Sequence, residues 1–349
     1  MEAVDKGCGV IRSFEESLER IVPKLEDLEI EVNRYPLNKR ERNQVLQSME
    51  RVYYLIWLMK NIQNFFKEKI QFGGGAILNY IFLKSIEEPP RMTFDLDSHW
   101  NEPISKRSLL KEMLRFNKYL KALIDVRMPV DDVHSITIYV VEHDIEKDFF
   151  SNVLFLRVPV ITRWTGETFH AFVKRITGFE MKYVVLTELR KVFEKTLGVK
   201  DAKIDYIRFE VSFGSPLPYT KYSVQLPFNL GTQAFNITEL EYQLASKIVN
   251  KLCKDYGKTT AFVLHDVLKA LLDMRLLKYV NGDKLTYYVK QADKNPAVLL
   301  DNFRRNITAL MNVGARYWGS HHYILIRKVY TLETLVENTR EMLEDVLTR

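Results

Sequence analysis

The sequence is poor in cysteine and has no long apolar run. Of 349 residues only Cys8 and Cys253 are cysteines, far apart and without CxxC spacing. That argues against a disulfide framework or a structural zinc site and suits a reducing compartment. No stretch of about 18 uncharged apolar residues occurs, so no membrane span is expected. The opening "MEAVDKGCGV" lacks a basic start followed by an apolar run, so no secretory signal is read and a cytoplasmic location is expected. HExxH and His-x-His patterns are missing, and the adjacent His321 and His322 cannot converge on one ion from a regular element. No Gly-Lys-Ser/Thr follows the glycines and GxGxxG spacing fails, so neither a P-loop nor a dinucleotide fingerprint is present.

What is there divides the chain into three parts. Residues 1–69 read as an N-terminal helical region: "SFEESLERIVPKLEDLEIEV" and "RERNQVLQSMERVYYLIWLMKNIQNFFKEK" place apolar residues at three- and four-residue steps, broken at Pro36. Residues 70–236 change character. "TFDLDSHW", "HSITIYVVEH", "NVLFLRVPVITRW" and "AKIDYIRFEVSFG" are β-branched and aromatic and read as strands, with helical stretches between them. The end of this part, Pro216 to Asn236, reads as an irregular connector. Residues 237–349 are helical again, opening at "NITELEYQLASKIVNKL", where Thr238 is placed to cap and Glu241 to reach back. The fold class expected is α+β, a core with a mixed sheet flanked by helical regions. The net charge of +6 favours an anionic partner such as nucleotide or nucleic acid.

One constellation carries chemistry. Asp95 and Asp97 flank Leu96 in a strand, and residues two apart on a strand project to one face. Two such carboxylates repel unless a cation or a shared proton intervenes, and Mg²⁺ or Mn²⁺ suits all-oxygen ligands. Upstream, Gly73, Gly74 and Gly75 form a turn that opens "AILNYIFLK", a helix start able to face a phosphate.

The glycine turn, the helix and then "RMTFDLD" resemble the AbiEii-type nucleotidyltransferases, the toxin half of type IV toxin–antitoxin systems and a branch of the polymerase-β-like superfamily. The pattern Arg-x-Thr-x-Asp-x-Asp falls on Arg91, Thr93, Asp95 and Asp97. "IDYIRFEVSFG" resembles the strand that brings a third acid, Glu210, with Asp205 as the rival on that strand. "LEYQLASKIVNKL" resembles the helix whose lysine falls on Lys247, and "TTAFVLHDVLKALL" the helix whose acid falls on Asp266.

The resemblance implies a polymerase-β-like core that transfers NMP from a nucleoside triphosphate to an RNA, a tRNA end, or a protein acceptor. Asp95, Asp97 and Glu210 would hold Mg²⁺ or Mn²⁺, Gly73 to Gly75, Arg91 and Lys247 would contact the nucleotide, and Asp266 would orient Lys247 or accept a proton. A cognate antitoxin would be a partner. The sequence departs from the family pattern at three places. The stretch before Asp95 is lengthened by "SIEEPP", Gly75 stands where a small hydroxyl residue is usual, and Phe262 and Val263 replace an Arg-Asp pair. A catalytically weakened member that binds nucleotide or RNA as a scaffold is the alternative.

Overall fold

The computed structural model describes residues 16, 18–19, 21–123, 127–129, 135–137, 148–150, 152–177, 184–257, 260–292 and 294–348. Two helices lead, α1 (Leu25–Val32) and α2 (Lys39–Phe66). The start of α2 is fixed by a capping box: Asn38 Oδ1 accepts from the Glu41 amide at 3.0 Å, and Glu41 Oε2 accepts from the Asn38 amide at 3.0 Å. Strand β1 (Ile70–Gly73) runs straight into α3 (Gly74–Ile77), which continues as a wide π-helical stretch, Leu78–Leu83. Next come β2 (Asp95–Trp100), α4 (Lys106–Leu123), β3 (Arg127–Pro129), β4 (Ser135–Thr137), β5 (Asp148–Phe150), β6 (Val153–Thr162) and β7 (Glu167–Thr168). Then follow α5 (Phe169–Thr177), α6 (Val184–Leu197), β8 (Lys203–Ser212), β9 (Tyr219–Gln225) and β10 (Thr232–Thr238). The C-terminal helices are α7 (Leu240–Lys247, running on as a π-helical stretch, Ile248–Leu252), α8 (Ala261–Asp273), α9 (Gly282–Lys290), α10 (Pro296–Trp318), α11 (Ile324–Arg327) and α12 (Leu332–Thr348).

The fold is α+β around an open mixed sheet in the order β5-β6-β8-β2-β1-β10-β9, with β7 pairing β8 at one end. Strand β2 pairs parallel with β8 and antiparallel with β1, and β1 pairs parallel with β10. The register sorts the side chains by face. Ile70, Phe72, Leu96, Phe209, Val211 and Ile237 share one face and pack in a core with Leu55, Ile56, Met59 and Phe66 of α2. Gln71, Gly73, Asp95, Asp97, His99, Glu210 and Ser212 share the other. A second core joins α7, α8, α10 and α12 to Leu78 and Leu83, so the helix after the glycines is held between the two cores. A buried ion pair ties α2 to the end of β6: Arg163 Nη1 lies 2.6 Å from Glu50 Oε1, and the Arg163 amide donates to Glu50 Oε2 at 2.8 Å.

Two expectations need correction. The stretch Pro216 to Asn236 is a hairpin rather than a connector, β9 and β10, because a tight turn with Phe228 at φ 60°, Asn229 at φ 56° and Gly231 at φ 79° lets both strands join the sheet. Thr238 is the last residue of β10 and does not cap. The N-cap of α7 is Glu239, and Thr238 Oγ1 instead accepts from Gln71 Nε2 at 2.8 Å. The strand expected in "HSITIYVVEH" is seen over Ser135–Thr137, and the rest of that stretch lies outside the described residues. Among the described residues, no helix is long and apolar enough to cross a membrane.

Candidate active site

The polar face of the sheet is where the candidate residues meet. In the pairing register Gly73 lies opposite Asp97, and Asp97 lies beside Glu210. Gly74 has φ +69°, and a Cβ added there would stand 1.7 Å from Asp97 Oδ2. Only glycine fits both the left-handed backbone and the carboxylate pressed against it. The Gly75 amide donates to Asp97, and a Cβ at Gly75 would stand 2.5 Å from Arg91 Nη2. The glycine turn is therefore moulded around Asp97 on one side and Arg91 on the other. Gly73 and Gly74 line a cavity of about 280 Å³ together with Asp97, His99, Gln243, Lys247 and Lys251.

Behind this turn is a buried charge relay that the sequence did not reveal. Asp273, at the end of α8, is fully buried. Arg91 Nε and Nη2 reach its two oxygens at 3.1 and 3.2 Å, and Lys247 Nζ lies 3.1 Å from Oδ2. Burial opposes ionisation of Asp273, but the Arg91 and Lys247 charges and the hydrogen bonds from Arg91 and Asn79 hold its pKa down to about 2. Asn79, also fully buried, donates to Asp273 Oδ1 at 3.0 Å and to the Gly75 carbonyl at 2.9 Å, and accepts from the Arg91 amide at 2.9 Å. The glycine turn, Arg91 and Lys247 are thus locked to one carboxylate. Tyr80 secures the approach to β2, donating to the Thr93 carbonyl at 3.0 Å and accepting from the Thr93 amide at 2.9 Å.

Two expected roles come out differently. Asp266 pairs with Lys251 at 2.7 Å and with Lys269 at 3.8 Å, and Asp273 is the acid on Lys247. The two aspartates are seven residues apart on α8, two helical turns, so they share a face and only the later one reaches the lysine. Arg91, expected to contact the nucleotide, is 5% exposed and sets Nε and Nη2 on Asp273. Asp205, the rival acid, is on the opposite face and pairs with Arg51 of α2 at 3.0 Å. Phe262, in the altered family position, is 75% exposed at the start of α8.

The three acids lack a firm counter-charge. Arg208 stands 3.8 Å from Asp95 Oδ1 and 3.8 Å from Glu210 Oε1, too far for strong hydrogen bonds. Burial raises the Asp97 pKa, with Asp95 adding to the shift and Lys247 and the Gly75 amide opposing it. Burial, Asp97 and Asp95 push Glu210 up to about 7, against the pull of Arg208. Among the described residues, no group of three or more His, Cys, Asp or Glu side chains already converges as a metal cage. Asp273 and Asn79 escaped sequence reading, although a lone acid closing the apolar run "KALLD" is a signal that could have flagged the first. Compared with known proteins, the chain matches no family model and no curated sequence.

Proposed function

We propose that this chain is a metal-dependent nucleotidyltransferase of the AbiEii type. It would move NMP from a nucleoside triphosphate to a hydroxyl of an RNA, such as a tRNA end, or of a protein, as the toxin of a toxin–antitoxin pair. The observation that carries this reading is the fit of Gly74 against Asp97, beside a cavity that also holds Lys247 and Lys251. A turn with no room for a side chain keeps a strand carboxylate and bare backbone side by side, which a site for a metal-bound phosphate needs.

The donor set suits Mg²⁺ or Mn²⁺. Asp95, Asp97 and Glu210 offer only oxygens, and a guanidinium between Asp95 and Glu210 marks where positive charge is wanted. These three residues would hold the ion, which when bound would stabilise charge on the attacking and leaving oxygens. Lys247, fixed by Asp273, sets a point charge toward the triphosphate without swinging away. Gly73 and Gly74 let the phosphates approach the backbone, while Gly75 spends its amide on orienting Asp97. The net charge of +6 supports an RNA acceptor. A cognate antitoxin would be the protein partner.

A second reading, a catalytically weakened member that binds nucleotide or RNA, is favoured by Arg208 lying between the acids and by Phe262 and Val263 in place of the family's Arg-Asp pair. The test uses α-labelled nucleoside triphosphates with Mg²⁺ and total RNA or protein. Label entering either acceptor with the wild type and not with Asp97→Asn supports transfer. Equal labelling by both proteins would remove Asp97 from the chemistry, and no labelling with tight nucleotide binding would favour the second reading.

A further inference from the structure

The cavity beside Asp97 has a polar floor that neither the acids nor the lysines use. His99 and Gln243 both line it, and each is only 6% exposed. His99 Nδ1 lies 2.9 Å from Ser212 Oγ, and that hydroxyl donates to the Ser98 carbonyl at 3.0 Å. A hydroxyl has one proton, so the ring must donate through Nδ1, and a neutral ring then offers Nε2 as a bare acceptor. Gln243 donates from Nε2 to the Thr238 carbonyl at 2.6 Å, which assigns its Oε1 as the remaining acceptor. Neither His99 Nε2 nor Gln243 Oε1 has a protein partner, and buried acceptors of this kind are ordinarily satisfied. Gln71, which faces His99 in the strand register, adds a third such oxygen on the same face of the sheet.

We propose that this floor is the sugar subsite of the nucleotide, with His99 Nε2 and Gln243 Oε1 accepting hydrogen bonds from the ribose 2′- and 3′-hydroxyls. The inference rests on the nucleotidyltransferase reading. His99 follows Asp97 by two residues on one strand face, a spacing of about 7 Å. A nucleotide whose phosphates lie at Asp97 brings its ribose, the next group along, over that interval. The two unpartnered atoms, His99 Nε2 and Gln243 Oε1, are both acceptors, and hydroxyls supply donors. Amino groups of the base are the other source of donors, and they stand further from the phosphates.

The experiment is equilibrium binding to the full chain with Mg²⁺. The ligands are the four ribonucleoside triphosphates, their 2′-deoxy and 3′-deoxy counterparts, and inorganic tripolyphosphate. The proteins are the wild type, His99→Phe and Gln243→Met, each checked for its native melting transition. The wild type is expected to bind ribonucleotides about tenfold more tightly than at least one deoxy series, the scale of one hydrogen bond to a neutral acceptor. The variants should lose that preference and keep the affinity for tripolyphosphate. The wild-type ratio stands as a test even where a variant does not fold. Equal binding of ribo and deoxy forms overturns the sugar assignment, and a preference among bases that the variants abolish would move the donor to the base amine. Tripolyphosphate binding with no nucleotide selectivity defeats this inference alone. Failure of both tripolyphosphate and nucleotides to bind defeats the nucleotidyltransferase reading as well.

Discussion

Asp273→Asn is the most informative single change, because it removes one charge and keeps the shape. Asp273 is fully buried and answers two cations, Arg91 at 5% exposure and the Lys247 side chain at 20%. With asparagine there, both cations are left without their carboxylate. Removing one partner of a buried ion pair costs about 3–5 kcal/mol. The lowered Asp273 pKa points the same way: a fall from 3.8 to about 2 corresponds to about 2 kcal/mol in favour of the charged form. A loss of about 3 kcal/mol at pH 7 is therefore expected, read from urea denaturation followed by tryptophan fluorescence. The sign with pH follows from the lowered value. The stabilisation is complete above about pH 4 and is lost as pH falls through about 2, where wild-type Asp273 also becomes neutral. The gap between wild type and Asp273→Asn should therefore narrow as the solution is acidified over that interval. A gap below about 1 kcal/mol at pH 7, or one that stays constant down to pH 2, would refute the relay as a stabilising unit.

Other outcomes follow from the same geometry. Gly74→Ala should destabilise the protein by at least about 1 kcal/mol for its left-handed backbone alone, and the double variant with Asp97→Ala should recover part of any further loss, measured by denaturation midpoints. An additive double variant would mean that Gly74 and Asp97 do not press on one another. Arg208→Ala should raise Mg²⁺ affinity in calorimetry by removing a competing cation from beside Asp95 and Glu210, and unchanged or weaker binding counts against that competition. Because Glu210 is pushed up to about 7, its ionisation in the folded protein is unfavourable, so stability that is present below its ordinary value of 4.5 is lost as pH rises through 7. Thermal melts should therefore show Mg²⁺ stabilising the protein more at pH 8 than at pH 5. Equal stabilisation at both values would show that Glu210 does not meet the ion.

The parts that were legible beforehand are those set by neighbours in the chain. The Asp95–Asp97 pair follows from strand alternation, and the glycine turn and the helix after it from backbone freedom and apolar spacing. Asp205 and Glu210 separate onto opposite faces for the same local reason. The α+β class and the helices on either side of the sheet were readable from periodicity. The hairpin of β9 and β10 was not, since its prolines, glycines and polar residues look like a connector until the centre of the sheet supplies β1 as a partner. Thr238 was misread as a cap because its alternative partner, Gln71, lies 167 residues earlier.

The candidate site divides along the same line. The sequence by itself determined that Asp95 and Asp97 share a face and that the three glycines form a turn, because both depend on bonds and sterics within a few residues, whereas the reason Gly74 and Gly75 can carry no side chain, the close approach of Asp97 and Arg91, came only with the fold. Tertiary structure alone decided that Asp273 rather than Asp266 meets Lys247, that Arg91 is buried in that pairing, and that Arg208 stands beside Asp95. Arg91 and Asp273 are 182 residues apart in the chain. A charge selects its partner by distance and burial in the folded protein, and neither quantity exists until the helices have packed against the sheet.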